Sequence, residues 1–159
     1  MLQKVFELLD QAVVKMNREN DTDGLSRIPR FYIKVLGQTA LLEANLGIPL
    51  LMTSDVDAYS DFVWIVRQHF CQLLREEGYH FDELSNDIWM PKETQYRQVF
   101  FGQCFDGFIA APEYVLLSKA KMAPQKNKNL IVEYLSSGPS VLFLDLANTY
   151  QINLESFLK

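Results

Sequence analysis

A chain of 159 residues, 48% hydrophobic and 22% charged, has the composition of a soluble globular protein and the length to bury a core. Its net charge of −5 argues against nucleic-acid binding through the bulk charge of the surface, while leaving room for a local basic patch. No run of eighteen apolar residues is present, which excludes a spanning helix, and the charges inside MLQKVFELLDQ are unlike a signal peptide, so a cytoplasmic protein without membrane partners is expected.

Residues 2–17 read as an amphipathic helix, because Leu2, Val5, Phe6, Leu9, Ala12, Val13 and Met16 recur at the three-and-four spacing of one helical face. The polar segment Asn17–Ser26 reads as a loop. The next stretch, FYIKVLGQTALLEANLGIPLLMTSDVDAY, organises the chain. A strand (Phe31–Leu36) stops at Gly37-Gln38-Thr39, an apolar helical segment (Thr39–Leu46) follows, and a second extended run ends in Ser54-Asp55-Val56-Asp57-Ala58. Successive strand residues face opposite ways, so Asp55 and Asp57 share one face, roughly 6–7 Å apart. Two carboxylates on one face suit a hard divalent cation better than a core.

Ser60 or Asp61 is the expected cap of a helix over 61–77, with Phe62, Ile65, Val66, His69, Phe70, Leu73 and Leu74 on its buried face. His69 and His80 read as packed core histidines rather than ligands. Residues 79–111 read as a β-meander with strands at Tyr79–Phe81, Asp87–Met90, Tyr96–Phe101 and Phe105–Ala110. Pro112 and Glu113 then open a helix that Pro124 ends. A short basic patch (Lys121, Lys126, Lys128) leads into a helix over 127–135, and Ser136-Ser137-Gly138-Pro139 breaks it. Residues 140–158 read as one helix and a helical tail, with Val141–Leu146 equally compatible with a strand. Cys71 and Cys104 lack the spacing of metal ligands and are expected as reduced, buried thiols. No repeat or linker divides the chain, so one α/β (α+β) domain over 1–159 is expected, its core at about 30–136.

The ordered series of strand, Gly37-Gln38-Thr39 turn, helix and Asp55-Val56-Asp57 strand resembles the signature of the DNA-polymerase-β-like nucleotidyltransferase superfamily. The later Pro112-Glu113-Tyr114-Val115-Leu116, Lys119 and Lys126-Asn127-Lys128-Asn129 are similar to its minimal branch related to AbiEii-type abortive-infection toxins. The resemblance implies a mixed β-sheet flanked by helices, and transfer of a nucleoside monophosphate from a nucleoside triphosphate to a hydroxyl of an RNA or a protein. Gly37, Gln38 and Thr39 would approach the triphosphate with the N-terminus of the following helix. Asp55 and Asp57 would hold Mg2+ or Mn2+. Lys119 would reach an anionic substrate, a solvated helix lysine being the plainer alternative.

Three residues depart from that pattern. Gln38 makes the turn bulkier than the family form. The third carboxylate, expected on a meander strand beside the Asp pair, is missing from Tyr96–Phe101, where Gln98 stands near its place; Glu93 and Asp106 are the flanking substitutes. Asn129 replaces a common aspartate. Three readings therefore stand: an active enzyme, a degenerate nucleotide- or protein-binding component of antitoxin-like or regulatory kind, and an unrelated α/β protein with a solvated Asp55-Val56-Asp57.

Overall fold

The structure, a computed structural model, describes residues 1–159. Helix α1 (Leu2–Thr22) buries Leu2, Val5, Phe6, Leu9 and Val13, the stripe expected of it. It runs past residue 17 because its polar end is tied down locally. The Thr22 hydroxyl donates to the Arg18 carbonyl, Asn20 Nδ2 to the Ser26 carbonyl, and the Asn17 side-chain oxygen accepts from the Ile28 N–H. No glycine or proline stops the helix before Gly24.

There follow β1 (Phe31–Leu36), α2 (Gly37–Ala44), β2 (Asp55–Ser60), α3 (Trp64–Glu76), β3 (His80–Phe81), β4 (Tyr96–Phe101) and β5 (Phe105–Ala110). Helices α4 (Pro112–Met122), α5 (Lys128–Ser136) and α6 (Val141–Thr149) complete the chain. The five strands form one mixed sheet in the order β3-β2-β1-β5-β4. Strand β1 runs antiparallel to β2 and parallel to β5. This is the expected α/β architecture, with the strand of the Asp pair beside 31–36.

One face of the sheet is the core face. Phe31, Ile33, Val35, Val56 and Ala58 are buried there at alternate positions. Phe6 of α1 lies directly on β5: a Cβ at Gly107 would sit 2.6 Å from its ring. The same ring meets Phe105 edge-on at 5.5 Å between centroids. Helix α3 adds Val66, Phe70 and Leu74. It starts three residues later than expected because Ser60 and Asp61 serve the sheet instead. The Ser60 hydroxyl donates to the Tyr32 carbonyl, and Asp61 accepts from the Tyr32 N–H. Ile65 is exposed, and His69 is only half-buried. His80, expected in the core, is exposed on the two-residue edge strand.

The expected strand at Asp87–Met90 is absent. A 3-10 turn (Ser85–Asp87) and irregular chain stand there instead. Side chains satisfy the backbone of that segment in place of a ladder: the Tyr59 hydroxyl donates to the Ile88 carbonyl and the Ser118 hydroxyl to the Trp89 carbonyl. Residues 141–149 are helical rather than extended, with Ser140 accepting from the Phe143 N–H as an N-cap. The tail is not one helix. It breaks at Gln151 (φ +56) before a short 3-10 turn at Leu154–Leu158. Both cysteines are free and half-buried, less enclosed than expected.

Buried Asp10 fastens α1 to the β4–β5 turn. Its two carboxylate oxygens accept the N–H groups of Gln103 and Cys104 at 2.9 and 2.8 Å. Asp10→Ala leaves both donors without their partner. The expected loss is roughly 2 kcal/mol, read as a Tm fall of roughly 4–8 °C. A fall below about 1 °C would show that the hairpin holds without this anchor.

Candidate functional site

The site begins at Gly37, where the chain turns from β1 into α2 with φ +63. A Cβ on this residue would lie 2.1 Å from Asp57 Oδ2 and 3.0 Å from its Cγ. The opening turn of α2 is therefore laid against the Asp57 carboxylate, across the Leu36–Asp57 pair of the β1–β2 ladder. Gln38 Nε2 donates to the Leu51 carbonyl at 2.9 Å and fixes the loop ahead of β2. The buried Thr39 hydroxyl donates to the Asp55 carbonyl at 3.1 Å. It ties α2 to β2, its proton already engaged.

Asp55 is exposed at the start of β2, and Asp57 is half-buried two residues on. A further carboxylate, Asp82, reaches Asp57 from the end of β3. Strand β3 runs parallel beside β2, pairing His80 with Asp55 and Phe81 with Val56. The Asp82 N–H then donates to the Val56 carbonyl at 3.0 Å, which delivers the Asp82 side chain to Asp57. The pKa of Asp57 is pushed up to about 6, first by burial, then by a hydrogen bond with Asp82 and its charge, with Asp55 adding to the effect and Lys119 opposing it. Burial and the facing Asp82 charge both disfavour the ionised form of Asp57.

Gln98 is nowhere near this pair. It lies on β4, on the opposite edge of the sheet, and its amide donates to the Asp106 carboxylate at 3.0 Å. Asp106 in turn pairs with Arg30 at 2.7 Å. Glu93 accepts from the Tyr150 hydroxyl at 2.7 Å. None of the three is among the groups that act on Asp57.

Lys119 is drawn in rather than solvated. Ser118 and Ala120 beside it are buried, and α4 packs against α2 and α6. Burial lowers its pKa, the charge of Asp57 works the other way, and Lys126 lowers it further. Lys119 also lines a cavity of about 500 Å³, together with Gln38, Leu51, Met52, Lys126 and Asn129. Of the basic patch, Lys121 is spent elsewhere, 5.4 Å from the Trp89 ring centroid. Lys128 donates to the Lys159 carbonyl.

No three side chains of His, Cys, Asp or Glu converge as a metal cage. The donor chemistry nonetheless fits magnesium, which is commonly held by one or two carboxylates plus substrate phosphates rather than by an all-protein cage. Asp57 and Asp82 supply the hard oxygens, and Asp55 stands at their edge. The site thus places a carboxylate pair against the first turn of α2, and half-buried Lys119 both acts on Asp57 and lines the neighbouring cavity. An anionic ligand in that cavity would meet Lys119 and Lys126. No known family model matches the chain, and no curated protein or solved structure is significantly similar to it.

Proposed function

We propose that this chain is a metal-dependent nucleotidyltransferase that moves a nucleoside monophosphate from a nucleoside triphosphate onto a hydroxyl. One observation carries the reading: Asp57, paired with Asp82, lies against the Gly37 backbone and feels the charge of a lysine that lines the adjoining cavity. The N-terminus of α2 presents backbone N–H groups to phosphate oxygens. Lys119 and Lys126 neutralise the anionic chain, and Gln38 holds the cavity wall through Leu51. Asp57 and Asp82 would hold the divalent ion, magnesium or manganese, with Asp55 at its edge. That ion supplies charge neutralisation at the phosphates and orientation of the acceptor hydroxyl.

Asp82 provides the acid that Tyr96–Phe101 lacks, and so supports an active enzyme. A degenerate, antitoxin-like or regulatory component that binds nucleotide or protein without efficient transfer is the second reading. It is favoured by the position of Asp55, which is exposed beside the pair rather than closed around it.

Magnesium with a nucleoside triphosphate at a hundredfold Kd is expected to add about 2.7 kcal/mol by mass action, a Tm rise of roughly 5–10 °C. Transfer is read by incubating labelled triphosphate with RNA and with candidate proteins. Asp82→Asn is expected to reduce labelling at least about 100-fold, the scale of losing one electrostatic stabiliser of the transition state. Gln98→Asp is expected to leave it within about twofold. Equal labelling by wild type and Asp82→Asn would remove Asp82 from the site; a Tm rise without any labelling would select the binding component.

A further inference from the structure

The sheet face that carries Asp57 continues beyond it into a cluster of a different kind. Tyr59 follows two residues along β2 and stands opposite Lys34 of β1. Tyr32 lies on the same face of β1, and Tyr96 of β4, two residues before the Gln98 that the ladders align with Lys34 through Phe108, brings its ring to Lys34 from across β5. All four side chains are half-buried, open to solvent yet confined. The segment after β3 bounds the cluster on one side, where Tyr59 donates to the Ile88 carbonyl.

Lys34 is the unusual member. Its Nζ lies 4.8 Å from the ring centroid of Tyr32 and 4.8 Å from that of Tyr96. The four ion pairs of the chain leave it out. A half-buried ammonium steadied only by π faces keeps its full positive charge available. The hydroxyls of Tyr32 and Tyr96 make no hydrogen bond within the protein, unlike that of Tyr59. Burial, with Tyr59 and Tyr32 nearby, pushes the Tyr96 pKa up to about 12, so this hydroxyl stays protonated and able to donate. One cation and two free phenols, flanked by aromatic rings, form a receptor for a phosphodiester with bases beside it.

We propose that the Lys34–Tyr32–Tyr59–Tyr96 cluster seats the backbone phosphate of a single-stranded nucleic-acid acceptor whose terminal hydroxyl reaches Asp57. The spacing suits this. Tyr59 and Asp57 are about 6–7 Å apart along the strand, a span that one nucleotide unit bridges. A protein acceptor needs no phosphate seat. The overall charge of −5 means that binding rests on this local contact and not on the bulk surface. The inference depends on the transferase reading for the role of Asp57, but the binding itself is measured without nucleotide or metal.

Fluorescence anisotropy of a labelled single-stranded oligoribonucleotide reads it. Lys34→Met keeps the aliphatic stem and removes the charge. It is expected to weaken binding at least about tenfold and to lower the slope of log K against log salt by about one. Tyr96→Phe, which keeps the ring and removes the hydroxyl, is expected to weaken binding less than Tyr96→Ala. The Tm of each free variant controls for folding. Lys34→Met should retain the triphosphate–magnesium Tm rise, while Asp57→Asn should lose that rise and keep the oligonucleotide. Unchanged oligonucleotide affinity in Lys34→Met overturns the proposal, as does no binding by the wild type or equal competition by poly-glutamate. Should Asp57→Asn keep the ligand-induced rise while Lys34→Met loses the oligonucleotide, the transferase reading fails and the nucleic-acid seat stands.

Discussion

Gly37→Ala is expected to abolish the triphosphate–magnesium Tm rise and to destabilise the free protein. Two effects combine. The backbone at φ +63 lies in the left-handed region, where a Cβ costs roughly 1–2 kcal/mol. That Cβ also meets Asp57 Oδ2 at 2.1 Å, so the carboxylate must swing away from the α2 N-terminus and further onto Asp82. Gly47 separates the two contributions. It has φ +72, but a Cβ there meets nothing within 4 Å. Gly47→Ala should therefore show the backbone cost alone, a Tm fall of roughly 2–8 °C, with the ligand response intact. Gly37→Ala should fall further and lose the response. A Gly37→Ala protein that responds to ligand as the wild type does would show that the Asp57 position is irrelevant to binding.

Asp57→Asn is expected to stabilise the metal-free protein while removing its ligand response. Asp57 titrates at about 6 in the fold instead of its ordinary 3.8, so the folded state holds a proton that the unfolded state releases between those values. The stabilising contribution is complete below about pH 4 and is lost as pH rises through about 6. Above that, charged Asp57 bears the cost of its burial and of the facing Asp82, only partly relieved by Lys119. Asparagine carries no charge to repel. Discounted for the partial exposure of Asp57, the gain at pH 7–8 is on the order of 1 kcal/mol, or a Tm rise of roughly 2–4 °C. The difference between variant and wild type should shrink toward pH 4. Cation binding by the wild type should strengthen as pH rises through about 6, since the Asp57 proton must leave first. A variant that is less stable than wild type at pH 8 would refute the repulsion argument.

The sequence makes the β1–α2–β2 unit readable because each of its parts has a local cause. Phe31–Leu36 alternates, Gly37 turns, Thr39–Leu46 is apolar at helical spacing, and the acids stand at the next strand. Asp82 escapes the same reading because β3 is only two residues long. Two residues show no alternation, and parallel pairing of residue 55 with residue 80 is set by packing of α3 rather than by any turn. Gln98 misleads for the converse reason. Reading 79–111 as a meander makes consecutive strands neighbours, whereas the chain leaves β3 at one edge of the sheet and re-enters at β4 on the other. The fate of Lys119 turns on neighbours that periodicity does not report, since the α4 positions on either side of it are buried. Thr39 is legible as a hydroxyl in the right place, but only the fold reveals that the Asp55 carbonyl already holds it.

The pairings of β1 also set an order of assembly during synthesis. Its partners in β2 lie 21 to 27 residues away, Leu36 with Asp57 and Ile33 with Ser60, whereas Phe31 meets Phe105 only 74 residues later. Short closures form fast and long ones slowly. Gly37, Asp55, Asp57 and Asp82 all leave the ribosome before β4, and Lys119 follows β5. The acidic half of the site is thus built first and its lysine arrives last. Until α4 docks, the emerging chain carries the paired carboxylates without their cationic neighbour.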